Sequence, residues 1–286
     1  MRYTLKQMQS EFPSDDVCLQ MLFDSRFGNM RACPKCGVVQ PKYYRIKKRM
    51  AYECKDCGNQ IYPLVGTIFQ KTTTPLTYWF HALYLFSISK NGVSAKEIER
   101  QVEVSYKTAH RMAKMIRLLM QEGGKLGNFG TPIEVDEAYI GGRAKQSSAY
   151  DNKVPIMAAL EVGGHVRTAV VPQATSKQAI AFLEANVYEG SVLHTDESSI
   201  YKHRSVKQTY DHSSVRHIWH EYVKDGVTTN HVEGFFGQFK RSWDGTFHGA
   251  IWPRYLSSYV GEFAYRYNHR NETIFPLLVA KAAQKV

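Results

Sequence analysis

The sequence predicts a mixed α/β protein in which an acid-bearing sheet domain follows two small modules, and three observations predict it. Four cysteines fall in two pairs, Cys33-Pro34-Lys35-Cys36 and Cys54-Lys55-Asp56-Cys57, inside a segment spanning about 30–66. A short helix, a three-residue turn and a longer basic helix follow within 72–122. From residue 131 to about 250 the pattern changes to strands broken by a helix. A chain of 286 residues, 43% of them hydrophobic, can bury one sizeable core and one or two small domains.

Residues 1–29 read as a helical lead-in. Phe12-Pro13-Ser14-Asp15-Asp16 breaks one helix and restarts another, with Ser14 as the cap. In the next segment, C-x2-C pairs separated by seventeen residues suit tetrahedral zinc, because two thiolates three positions apart reach one metal from a tight turn. Two unrelated cysteine pairs, or a redox pair, are the alternatives. Gly37 and Gly58 follow each pair, where a knuckle turn calls for positive φ. Between the pairs runs Lys42-Tyr43-Tyr44-Arg45-Ile46-Lys47-Lys48-Arg49. A stapled hairpin that projects Lys42, Arg45, Lys47, Lys48 and Arg49 among tyrosines is suited to nucleic acid.

Thr74-Pro75 is expected to open an apolar helix, Leu76 to Lys90, with threonine at the cap and proline at the first position; Asn91-Gly92 ends it. Ser94-Ala95-Lys96-Glu97 is a capping box for a helix over Ala95–Gln101. After Val102-Glu103-Val104, Ser105 caps a helix from Tyr106 to about Gln121. Ile98, Val104, Ala109, Met112 and Ile116 can share a core, which leaves Tyr106, Lys107, His110, Arg111 and Lys114 on the outer side. This is the helix-turn-helix arrangement, whose second helix would enter a DNA major groove; an ordinary helical hairpin with a solvated basic face is the plainer alternative.

Gly123-Gly124 and Gly127–Gly130 read as a linker. Ile133–Ile140 is a strand. Pro155–Val162 and His165–Val171 are two more, joined by the hairpin signal Gly163-Gly164. Ser176–Tyr188 is a crossover helix and Ser191–Asp196 a short buried strand. Three hairpin-connected strands, a crossover and a further strand make a mixed sheet. Arg143–Lys153, with Arg143 and Lys145, is a polar, basic loop. In the helix that begins near Asn230, Val232, Phe235, Phe236, Phe239 and Trp243 form one apolar stripe. In the tail, 251–286, Tyr255, Tyr259, Phe263, Tyr265 and Tyr267 have helical spacing suited to packing on the sheet.

Three acids stand out. Asp136 lies within a strand, Asp196 ends one, and Glu233 occupies the first turn of the helix whose apolar stripe would dock on the sheet. Glu233 and Lys240, seven apart, stack on one flank of that helix, with Gly237 between them leaving room for a ligand. Convergent carboxylates without basic partners suit Mg²⁺ or Mn²⁺, and two such ions about 4 Å apart serve phosphoryl transfer. Singly, a strand-end Asp is more often a turn residue and Glu233 could simply cap its helix. Glu137 should point away from the face of Asp136 and so is not expected to be a ligand; Glu197 stays open because its strand ends there. His212, His217 and His220 have no clean ligand spacing and read as loop or DNA-facing residues. His194 is expected to orient a strand end.

The charge is unevenly spread. Residues 1–130 hold 20 Lys+Arg against 10 Asp+Glu, and residues 131–286 hold 17 against 16, within a net charge of +11. The first half therefore carries the electrostatic grip on a polyanion. No apolar run is long enough to span a bilayer, and the opening Met1-Arg2-Tyr3-Thr4 is not a signal segment. A cytoplasmic, nucleoid-associated location is expected. Cys18, outside the two pairs, reads as a buried free thiol.

Val135-Asp136-Glu137-Ala138-Tyr139-Ile140-Gly141-Gly142, His194-Thr195-Asp196 and Thr229-Asn230-His231-Val232-Glu233-Gly234-Phe235-Phe236 resemble the corresponding stretches of bacterial insertion-sequence transposases that begin with a zinc ribbon. The resemblance spans about residues 15 to 270. It implies a ribonuclease H-like catalytic domain with a DDE triad at Asp136, Asp196 and Glu233 binding the catalytic metals. Lys240, seven residues after Glu233, matches the basic residue such transposases often carry and is assigned a phosphate contact near the cut end; Arg241 and the 143–153 loop are secondary candidates for DNA contact. In that family Asn or His can replace the last acid, so Asn230 and His231 stay in view. The implied chemistry is in-line attack on a phosphodiester by water and then by a DNA 3′-hydroxyl, without a covalent enzyme intermediate. The implied partners are double-stranded transposon ends and target DNA, handled by a homodimer or larger assembly. A non-catalytic DNA-binding regulator and a hydrolysing nuclease are the competing readings.

Overall fold

The computed structural model describes residues 3–127, 130–141, 153–215, 227–249 and 251–285. The chain forms two compact units. The first comprises Met1–Ser89, Val93–Leu119 and Glu272–Val286, and the second Lys90–Gly92 and Met120–Asn271.

The first unit opens with α1 (Leu5–Glu11), capped by Thr4 in a capping box with Gln7, and α2 (Asp15–Phe27), capped by Ser14. A three-stranded antiparallel sheet follows: β1 (Tyr43–Ile46), β2 (Ala51–Cys54) and β3 (Gln60–Ile61). This sheet is too small to bury a core of its own, so aromatic rings fix it to α2. Phe23 stacks on Tyr52 with ring centroids 4.1 Å apart, and the Tyr52 hydroxyl donates to Gln20 Oε1 at 2.9 Å. Next comes α3 (Leu76–Ile88), which buries Leu76, Trp79, Phe80, Leu83 and Phe86 and is the apolar centre of the unit. Its start differs from expectation. Pro75 occupies the cap position with no side-chain bond, and Asp15 Oδ1 instead accepts from Thr77 N and Thr77 Oγ1, both at 3.0 Å. A carboxylate borrowed from α2 satisfies an amide that the local sequence leaves open.

The helix-turn-helix is α4 (Ala95–Val102) and α5 (Tyr106–Leu119). Ser94 Oγ accepts from Glu97 N at 3.1 Å, and Glu103 turns the chain in the left-handed region at φ 56°. Ile98, Ala109, Met112 and Ile116 are buried as their spacing requires, whereas Val104, in the turn, is only half-buried. The C-terminal helix, Ile274–Ala282, also belongs here: Phe275 stacks on Tyr3 at 4.7 Å and meets Phe12 and Tyr84 edge-on. The expectation that all of 251–286 packs on the sheet domain is thus corrected for its last helix, whose apolar face α3 recruits.

The second unit contains β4 (Ile133–Ile140), β5 (Val154–Glu161), β6 (Val166–Val170), α6 (Ser176–Asn186), β7 (Val192–Asp196), a 3₁₀ turn (Ser199–Tyr201), α7 (Arg204–Thr209), β8 (Asp211–Val215), α8 (Asn230–Gly245) and α9 (Pro253–Asn268). The sheet order is β6-β5-β4-β7-β8; β4, β5 and β6 pair antiparallel, and β7 runs parallel to both β4 and β8. Three antiparallel strands, a helical crossover and two parallel strands on the far side of the first are the ribonuclease H-like order. The fifth strand, β8, and α7 were not anticipated: Asp-His-Ser-Ser-Val lacks a strand's apolar alternation and pairs because β7 offers it a parallel edge.

Side chains of alternate parity feed two cores. Ala138, Ile140, Ile156, Ala158 and Leu160 face α8 and α9. Ile133, Val135, Met157 and Ala159 face α6 and Tyr201. Val232, Phe235, Phe236, Phe239 and Trp243 of α8 are all buried, as are Phe263 and Tyr265 of α9, while Tyr255, Tyr259 and Tyr267 pack partly buried at the margin. The tail tyrosines are packing residues. Leu126, placed in the linker by its glycine neighbours, is buried and pairs with Val187.

Candidate active site

The register carries Val135 opposite Thr195 on parallel neighbouring strands, which brings Asp136 beside Asp196 at the end of β7. Oxygens of Asp136, Glu137 and Asp196 all lie within 4.8 Å of one another. Asp136 Oδ1 accepts from Glu137 N at 2.8 Å, and Asp196 Oδ1 accepts from Ser198 N at 3.0 Å. Burial pushes the Asp136 carboxyl up to about 7; the Glu137 amide opposes this, and the charges of Glu137, Asp196 and Glu233 add to it. Glu233 stands in the first turn of α8, exposed, and its Oε1 accepts from Thr229 Oγ1 at 2.8 Å. Among the described residues it lies outside the 4.8 Å cluster, although Asp136 feels its charge.

Glu137 corrects the argument from alternation. Its side chain leaves β4 on the opposite face, where the hydroxyl of fully buried Tyr201 donates to Glu137 Oε2 at 2.9 Å. From there the carboxylate still reaches the two aspartates, because β7 ends at Asp196 and leaves that edge open. Burial raises the Glu137 carboxyl as well. Glu197 is not a member of the cluster. Clustered hard oxygen donors, one of them with its pKa raised by burial and then by its acidic neighbours, fit a divalent cation that would relieve their repulsion.

Glu134 was missed in the sequence. It is fully buried on the same face of β4 as Asp136, accepts from His231 N at 2.7 Å and Val232 N at 3.0 Å, and lies 2.7 Å from His231 Nδ1. The available signal was an acid two positions before Asp136, on the same face of the strand. His231 is thereby turned toward Glu134. His194 is buried beside it in register, and burial lowers its basicity. His212 sits on β8 with Nε2 2.9 Å from Thr195 Oγ1; His217 and His220 lie outside the described residues.

In the first unit Cys33, Cys36, Cys54 and Cys57 converge, with their sulfurs within 4.8 Å of one another and Cys33 Sγ 3.8 Å from Cys57 Sγ. A tetrahedron with metal–sulfur bonds of about 2.3 Å has edges of about 3.8 Å, so the four thiols fit a zinc ion. Gly37 and Gly58 have φ of 72° and 69°, as the knuckle turns require.

The basic residues divide by environment. Lys42, Lys47, Lys48 and Arg49 are exposed on the ribbon. Arg45 turns inward: Nε is 3.0 Å from Asp16 Oδ1, and Nη1 donates to the carbonyls of Ile46 and Arg49, stitching the β1–β2 turn. Tyr106, Lys107 and Lys114 are exposed on α5, and His110 is half-buried. Arg111 is exposed but tethered, donating to the Gln70 carbonyl at 2.8 Å with its guanidinium 5.7 Å from the Trp79 ring centre. Lys240 and Arg241 are exposed on α8; Arg143 and Lys145 lie outside the described residues.

A ribonuclease H-like sheet with acids at the adjoining positions of β4 and β7, in a chain that also carries a four-cysteine ribbon, defines the class of DDE recombination proteins. The family model described as the ISXO2-like transposase domain matches residues 127–268, and that of the transposase zinc-ribbon domain matches residues 13–60. The chain belongs to the insertion-sequence DDE transposases with an N-terminal zinc ribbon. A protein of Halobacterium salinarum, described as an uncharacterized protein in transposable element ISH50, is 25% identical over 276 residues, covering 89% of this chain and 91% of its own. Among solved structures, the catalytic core domain of BIV integrase covers 52% of this chain and 93% of its own at 12% identity, with a TM-score of 0.32. A pre-cleavage Mos1 transpososome covers 72% of this chain and 79% of its own at 12% identity, with a TM-score of 0.22. These structural likenesses are remote; the fold assignment rests on sheet order and the family match.

Proposed function

We propose that this transposase binds the inverted-repeat ends of its insertion sequence, cuts the DNA there and joins the 3′ ends to a target. The observation that carries the reading is the meeting of Asp136 and Asp196 from adjacent parallel strands, within reach of the charge of Glu233 on the helix docked over them. Asp136, Asp196 and Glu233 would hold two Mg²⁺ or Mn²⁺ ions, which when bound activate the attacking oxygen and neutralise charge on the leaving one. The chain's own contribution is positional. β4 and β7 hold the two aspartates, the apolar stripe of α8 fixes the helix that bears Glu233, and Lys240, exposed two turns further along, contacts phosphate near the cut end. One zinc ion held by Cys33, Cys36, Cys54 and Cys57 keeps the ribbon folded. Lys42, Lys47, Lys48 and Arg49 on the ribbon and Tyr106, Lys107, His110 and Lys114 on α5 grip the end DNA, with Arg241 and the 143–153 loop touching DNA near the chemistry. Arg45 and Arg111 support these surfaces through their internal bonds. Joining two ends calls for at least two protomers.

The test is incubation of the protein with its end sequences, Mg²⁺ and target DNA. Strand-transfer products support the reading. Binding without cleavage favours a regulator, and hydrolysis without joining favours a nuclease. A second reading of the third ligand has its own support, since Glu137 rather than Glu233 lies in the tight cluster with both aspartates. Comparing Glu137→Ala with Glu233→Ala decides between them: the variant that still joins ends is not missing a ligand.

A further inference from the structure

We infer that Glu134 is a positioning residue of the metal centre, holding Glu233 in place by pinning the first turn of α8 to β4. This rests on the proposal that Glu233 is a ligand. A fully buried carboxylate is unfavourable unless its oxygens are bonded. Glu134 meets that condition almost wholly with one partner element: the amides of His231 and Val232 and the ring of His231, all on α8. The helix needs those bonds. Its cap residue, Thr229, makes no side-chain capping bond, and its hydroxyl donates to Glu233. Glu134 thus supplies from the neighbouring strand acceptors for two of the four amides that a helix start leaves unsatisfied.

The placement links the two halves of the acid set. Glu134 is two residues before Asp136 on the same face of β4, and the amides it holds belong to the two residues immediately before Glu233. The separation between Asp136 and Glu233 therefore passes through the Glu134 carboxylate, and the Thr229 hydroxyl restrains the rotamer of Glu233. The apolar stripe of α8 fixes which side of the helix faces the sheet, while Glu134 fixes how far along the sheet the helix begins. Outer bonds of this kind tune metal affinity without touching the metal.

The test uses the full-length, zinc-loaded protein without DNA. Mn²⁺ binding is followed by electron paramagnetic resonance of free Mn²⁺, and amide hydrogen exchange is measured at residues 231–233. Glu134→Ala is expected to weaken Mn²⁺ binding about tenfold or more and to speed exchange at His231 and Val232. Exchange in α4 and α5 should stay unchanged. Glu134→Gln keeps an acceptor oxygen for the amides and should recover part of the affinity, which keeps the test open if the alanine variant fails to fold. Glu233→Ala should weaken Mn²⁺ binding without loosening the amides of His231 and Val232. Wild-type Mn²⁺ affinity in both Glu134 variants, with Glu233→Ala impaired, would overturn the positioning role and leave the ligand reading standing. So would loosening spread evenly over the whole second unit, the mark of a merely structural residue. Wild-type Mn²⁺ affinity in Glu233→Ala would overturn both.

Discussion

Asp136 shows how one strand position becomes chemically special. Its carboxyl is raised to about 7 by burial, with the neighbouring acids adding to the shift. In the unfolded chain it titrates near its ordinary value of about 3.9. Between those limits the metal-free fold binds more protons than the unfolded chain, so its stability falls as pH rises from about 4 through 7. Asp136→Asn should therefore stabilise the metal-free protein at pH 8 by about 1–3 kcal/mol, read by denaturant unfolding, and should abolish the stabilisation that Mn²⁺ gives the wild type. A second prediction concerns cleavage. Asp136→Ala, Asp196→Ala and Glu233→Ala should each lose end cleavage and strand transfer by about a thousandfold or more while binding ends at least as well as the wild type, in gel-shift and joining assays. Lys240→Ala should lose only part of the rate. These residues were legible because the acids interrupt apolar segments. Glu134 interrupts the same strand, but its role was hidden, because a capping bond to a helix 97 residues away has no local signature. So was the reach of Glu137, which depends on where the neighbouring strand stops.

At the scale of elements, the ribbon and the helix-turn-helix were readable from spacing alone. Cysteine intervals and the Ser94 and Ser105 caps are rules that act over a few residues. The start of α3 and the strand β8 escaped for the opposite reason: Asp15 comes from another helix, and a polar strand is made by its partner. The ribbon has little core of its own: its Tyr43 and Tyr52 pack against Phe23 of α2. Cys36→Ser, or chelation, should therefore release about one zinc per chain and unfold the ribbon, while the circular dichroism of the sheet unit persists; metal analysis and limited proteolysis check both. Lys107→Ala with Lys114→Ala should weaken end binding and flatten its salt dependence by about one to two units of log–log slope. Arg45→Ala should act mainly by lowering the thermal midpoint of the ribbon, because its guanidinium is spent on Asp16 and backbone carbonyls.

At the scale of the whole molecule, the described residues include no helix long and apolar enough to cross a membrane. The division into units follows neither the linker glycines nor the chain ends. Removing residues 272–286 should destabilise the unit that carries the ribbon and leave the sheet unit at its wild-type midpoint, seen as a shift in one of two calorimetric transitions.

The return of that last helix to the first unit also sets an order of birth. On the ribosome the sheet unit is complete once Asn271 has emerged, whereas the unit begun at the N-terminus waits for Phe275 to find Tyr3 and Phe12. At about 5–20 residues per second, the stretch between Leu119 and Glu272 takes roughly ten to thirty seconds to synthesise. Through that interval the nascent chain holds its opening helices without their closing partner. The part made first is thus the last to be finished, and a chain stopped at Asn271 would carry a sound sheet unit with an opening unit that never closes.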